Sequence, residues 1–308
     1  MLGGLFLLHT EIGNQFLDLF YHDIKDYSID GCNTNLNLHT LKISNNKFAY
    51  YDLVDALEDC IVTYCLSAKE LEKLKENVGK KYTRAVRKLR NYKANDGELG
   101  EILLYCMLES HLKAPKIFTK MELKTSSEDY VKGADGVHLL KLDDCNYQII
   151  FGESKLNQKF QRGLYEAFKS IKEYITRATN NINDELGLIN SYLEKETVSE
   201  EMYALLKSIL VPSAREAEIN TDNAFGIFVG FELNLDEDDW KLSNRAFREK
   251  VRNLIKESVE KEYKYIKKKV EEYKLYGYDF YIYVIPFFEL DETRKRVIKN
   301  LKVAENDF

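Results

Sequence analysis

The sequence predicts a mixed α/β fold, a central sheet flanked by helices, with an N-terminal α+β extension. Three observations carry this. The stretches 224–233 (AFGIFVGFEL) and 279–288 (DFYIYVIPFF) are nearly continuous apolar runs, as expected of strands buried on both faces in the middle of a sheet. Two shorter runs, 137–142 and 147–151, are separated by an Asp-Asp-Cys-Asn turn and read as a β-hairpin. Helical stretches at 98–112, 159–178 and 243–276 alternate with these runs and supply the covering layers.

A chain of 308 residues, 44% apolar and 12% aromatic, is long enough to bury a large core. Its formal charge of -6 gives no global field to hold nucleic acid, so a local basic patch or a partner must supply any phosphate contacts. Five cysteines, at 32, 60, 65, 106 and 145, include no C-x-x-C pair and read as buried thiols of a reducing compartment. The apolar run 2–8 lacks a basic n-region and a cleavage-like ending, and no later run reaches about 18 apolar residues. A cytoplasmic protein without a membrane span is expected.

In chain order, residues 1–66 mix strand-like pieces at 37–43 and 47–51 with a helix carrying Leu53, Val54, Ala56, Leu57 and Ile61. Residues 68–93 are helical and charged. Arg84, Arg87 and Lys88 share one face there, suited to a phosphate backbone or simply to solvent. Asn95-Asp96-Gly97 breaks the pattern and marks the expected boundary between an extension, 1–94, that is a candidate partner-docking region, and a main domain, 95–308. In the helix 98–112, Leu99, Ile102, Leu103 and Cys106 form a buried stripe. Glu101 lies on a face with Tyr105, Leu108 and Leu112, where a carboxylate requires a partner or a metal. Glu98 falls nearer Glu109 and is expected to be exposed. Pro115 ends the helix, 116–123 reads as a strand, 180–200 as a polar insertion and 243–276 as one long charged helix.

The hairpin gathers the chemistry. Asp135 stands near the start of its first run, and the second ends in Glu153-Ser154-Lys155. Strand residues two apart project to one side, so Glu153 and Lys155 point together, and pairing of the runs brings Asp135 to both. Two carboxylates beside a lysine make a hard-oxygen site for Mg²⁺ or Mn²⁺, the equipment for phosphodiester hydrolysis. Glu-x-Lys alone is weak evidence, since four such triplets begin at Glu122, Glu153, Glu262 and Glu272. Only Glu153 has an apolar strand before it, an Asp on the preceding strand and a helix after it. In the bland reading Asp135 makes a turn and Glu153 with Lys155 is a solvated pair. His138 points away from Asp135 on a regular strand and reads as a packed side chain.

The series Gly97-x-x-x-Glu101, Gly133-Ala134-Asp135, Gly152-Glu153-Ser154-Lys155 and Gln161-x-x-x-Tyr165 resembles the motifs of the PD-(D/E)XK nuclease superfamily, in its RecB-like branch. The phrases GELGEILLY, KGADGVHLL and GESKL, behind about ninety residues of extension, are similar to the HamA family, the nuclease subunits of Hachiman anti-phage defence systems. The resemblance implies a restriction-endonuclease-like sheet, DNA as substrate and a HamB-like helicase as partner in a heteromer. It also implies that Asp135, Glu153, the Ser154 carbonyl and Glu101 ligate Mg²⁺ or Mn²⁺, that Lys155 assists the attacking water, and that Gln161 and Tyr165 position the substrate. A stand-alone restriction-type or RNA-cleaving nuclease, or a non-catalytic nucleic-acid-binding module on the same scaffold, remains the alternative.

Overall fold

The computed structural model describes residues 9–91, 97–119, 134–178, 193–197, 199–211 and 219–302. Its central feature is a 7-stranded mixed sheet. The strands are β1 (Phe20–Tyr27), β2 (Thr34–Leu41), β5 (Lys116–Thr119), β6 (Gly136–Lys141), β7 (Asn146–Asn157), β8 (Asn220–Glu232) and β9 (Asp279–Phe287). Their spatial order is β1-β2-β9-β8-β7-β6-β5. β2, β9, β8 and β7 run parallel, and the antiparallel β1 and the β6–β5 pair close the two edges. The two long apolar runs are β8 and β9, interior strands whose side chains are buried from Ala224 and Ile282 onward, apart from Glu232. A small separate hairpin joins β3 (Ile43–Ser44) to β4 (Lys47–Phe48).

Helix α4 (Glu98–Ser110) lies across β7 and β8. It approaches closely because residue 152 is glycine: a Cβ there would stand 3.0 Å from Leu104. Around α4 pack α1 (Tyr50–Cys65) and α9 (Leu290–Lys302), with α3 (Val78–Asn91) beside both and α2 (Ala68–Lys73) just before it in the chain. On the other face α5 (Phe160–Ala178) covers β7 and β8. Beside it α6 (Glu200–Leu210) sets Met202, Leu206 and Ile209 into a second apolar cluster with Val137, Leu139 and Ile149.

Several expectations change. The stretch 243–276 is two helices, α7 (Asn244–Glu260) and α8 (Tyr263–Glu272), and neither Gly nor Pro marks the turn between them. The strand expected at 47–51 ends at Phe48, because Tyr50 already begins α1. β1, α6 and α9 were not anticipated. The far part of the expected strand 116–123, most of 180–200, and Asn95-Asp96 lie outside the described residues.

The expected boundary near residue 95 separates stretches of sequence and not separate cores. β2 pairs with β9 in register Leu36↔Ile282 and Leu38↔Val284, and all four side chains belong to one apolar cluster. A fragment of residues 95–308 therefore leaves β9 with an open edge and its core half-exposed. Its expected circular-dichroism melt shows no cooperative transition; a sharp transition at the full chain's Tm would show two independent units.

Candidate active site

Asp135 immediately precedes β6, and Glu153 follows the Gly136↔Gly152 pair on β7, so the hairpin sets the two side by side. The Asp135 amide donates to the Gly152 carbonyl at 2.7 Å. Asp135 Oδ2 accepts from both the amide and the hydroxyl of Ser154, at 2.6 and 2.8 Å. Both carboxylates are buried. The Lys155 ammonium pairs with Glu153 Oε1, and Ser170 of α5 stands near enough to favour the charged form of Glu153. Burial, and then the negative charge of Asp135, push the Glu153 carboxyl up to about 7 against the pull of Lys155 and Ser170. The Lys155 side chain keeps 27% of its surface exposed, enough to meet an incoming anion.

Glu101 is buried and accepts from the Tyr64 hydroxyl of α1 at 3.3 Å. Tyr64, Glu101, Thr119, Asp135, His138 and Gly152 line one small recess. The structure thus joins Asp135 to Glu153 through the hairpin and to Glu101 through this recess. Among the described residues no three acidic, His or Cys side chains gather closely enough to hold one ion as a group. His138 is buried, its Nδ1 lies 2.8 Å from the Ala114 carbonyl, and burial lowers its pKa to about 4, so it is a neutral packed ring as expected.

A model of the HamA family, described as HamA, matches residues 14–301. The chain belongs to the HamA family. No curated protein matches it. HamA membership makes the chain a component of a Hachiman anti-phage defence system, and the matched span crosses residue 95 just as the sheet does. Among the described residues no helix is long and apolar enough to cross a membrane.

Other expected residues in this HamA-family chain are placed differently. Gln161 donates to Glu262 at 2.8 Å, and the Tyr165 ring meets the cations of Arg162 and Lys269. Both lie on the flank of α5 facing α8, roughly half a turn from Ser170, so helical phase carries them away from Glu153. Glu98, expected to be exposed, is buried and meets Lys302 of α9 at 3.1 Å. Arg84 and Lys88 both pair with Glu70, at 2.8 and 2.5 Å, and Arg87 is exposed. Glu70 in turn completes a capping box with Ser67 at the start of α2. Gly133 and Glu122 lie outside the described residues. Tyr64 and Ser170 went unread because nothing in their local sequence points to an acidic partner 37 or 17 positions away.

The raised Glu153 acidity has a sign that can be checked. With a native pKa near 7 against an ordinary 4.5, the folded state holds this proton more tightly, so its stabilising effect is full below about 4.5 and fades as pH rises to about 7. In metal-free buffer Glu153→Gln is expected to melt with the wild type at pH 5 but several degrees higher at pH 8.5, on the order of 1–3 kcal/mol. Equal melting temperatures at both pH values would remove the assigned charge conflict.

Proposed function

We propose that this chain is a Mg²⁺- or Mn²⁺-dependent DNA nuclease, the effector of its Hachiman system, working under the control of a HamB-like helicase. The observation that carries the reading is Asp135 beside Glu153, with the Lys155 ammonium against Glu153, at the end of a buried hairpin. The PD-(D/E)XK motif order supports the same conclusion.

The donor set fits a hard divalent cation. Two buried carboxylates stand side by side with one ammonium, that of Lys155, on Glu153, and burial followed by the charge of Asp135 pushes the Glu153 carboxyl up, a conflict that a divalent cation would relieve. Mg²⁺ keeps several of its waters, so the protein's share would be two carboxylates with the Ser154 carbonyl, and Glu101 through water. When bound, such an ion supplies a water of lowered pKa and neutralises charge on the scissile phosphate.

The chain's own groups do the rest. Glu153 must give up its proton to act as a ligand, so cation binding strengthens as pH rises toward about 7, the range set by the metal-free carboxyl. Lys155 orients the attacking water and places positive charge where the transition state gains negative charge. Tyr64 holds Glu101 from α1. With a net charge of -6 the chain relies on its partner to bring DNA to this site.

The test is cleavage of plasmid, single-stranded DNA and RNA with Mg²⁺ or Mn²⁺, with and without the helicase and ATP. DNA is expected to be cut, and Glu153→Ala or Lys155→Ala to lose at least about 100-fold in rate, roughly 3 kcal/mol. Undiminished cleavage by either variant would place the chemistry elsewhere, and cleavage confined to RNA would replace the substrate.

A further inference from the structure

Ser154 stands between the two residues assigned to the chemistry, and its amide and hydroxyl both donate to one oxygen of Asp135, Oδ2, at 2.6 and 2.8 Å. A carboxylate offers about two acceptor positions per oxygen. Oδ2 is therefore saturated by β7, and any cation that Asp135 ligates is met through Oδ1. The arrangement is built in. Ser154 is buried, and α4 leaves room for its hydroxyl because residue 100 is glycine: a Cβ there would stand 3.3 Å from Ser154 Oγ and 3.4 Å from its Cβ.

We infer that Ser154 is a specificity-determining residue of the cation site: by occupying Oδ2 it confines Asp135 to one-oxygen coordination and so favours Mg²⁺ or Mn²⁺ over Ca²⁺. This rests on the reading of Asp135 as a metal ligand. Mg²⁺ and Mn²⁺ take octahedral shells of oxygen, whereas the larger Ca²⁺ takes more oxygens and gains from carboxylates that offer both of theirs. An aspartate with one oxygen already committed withholds that second contact from Ca²⁺. Without the Ser154 hydroxyl, Oδ2 keeps a single donor and the carboxylate gains freedom to present both oxygens.

The experiment follows free Mn²⁺ by electron paramagnetic resonance as the full chain binds it, with Ca²⁺ as competitor and no nucleic acid present. Wild type, Ser154→Ala, Ser154→Thr and Asp135→Asn are compared, with melting temperatures taken alongside. Ca²⁺ is expected to displace Mn²⁺ poorly from the wild type. Ser154→Ala should narrow the preference by about tenfold, the scale of one hydrogen bond to a charged group, and Ser154→Thr, which keeps the hydroxyl, should stay within about twofold of wild type. An unchanged preference in a Ser154→Ala protein that binds Mn²⁺, or an equal loss in Ser154→Thr, overturns the inference and leaves the cation site standing. Failure of the wild type to bind Mn²⁺, or full binding by Asp135→Asn, overturns the reading of the site and the inference with it.

Discussion

Helix α4 has no exposed face. All 13 of its residues are buried, and three of them are glutamates. A buried carboxylate without a partner costs several kcal/mol, so each must find one, and each finds it in a distant part of the chain. Glu98 meets Lys302 of α9, Glu101 meets Tyr64 of α1, and Glu109 accepts the backbone amides of Glu11, Ile12 and Lys116. Burial still raises the Glu109 carboxyl, with those three amides and Lys116 pulling the other way. The N-terminal segment, the C-terminal helix and β5 are thereby drawn around one helix, which rests on the sheet over Gly152.

The same constraint sets the site. Among the described residues, strand pairing between β6 and β7 ends at Gly136↔Gly152, while β7 continues to Asn157 paired with β8. Just beyond Gly152 the Asp135 carboxylate meets the β7 backbone by accepting the Ser154 amide. A carboxylate takes the place of a strand's carbonyl. That substitution puts negative charge next to Glu153 at a depth where water does not offset it, which is why the neighbouring lysine is needed. Because α1 supplies the hydroxyl on Glu101, the N-terminal helices reach the recess through one hydrogen bond.

Much of this was legible in the chain. The interior strands declared themselves by unbroken apolar runs, the hairpin by its turn, and the burial of Glu101 by helical phase against Tyr105 and Leu108. Other features were not. The same phase argument set Glu98 in solvent, because the lysine that meets it lies 204 positions away on a helix with no motif. Gln161 and Tyr165 match a motif by spacing, yet α5 turns them toward α8. The basic face of α3 read as a free stripe of cations, although Glu70 ties down two of them.

By itself the sequence determined most of the strands and helices, and the placing of Asp135 beside Glu153 with Lys155 on the same strand, because those depend on side-chain period and on a turn a few residues long. The tertiary structure alone decided that residues 20–41 extend the same sheet, that Tyr64 and Ser170 attend the carboxylates, and which way Gln161 faces. The physical reason is range. A period records which side of an element is buried, but the partner of a buried charge is chosen by packing among elements far apart in the chain, and no local pattern carries that choice.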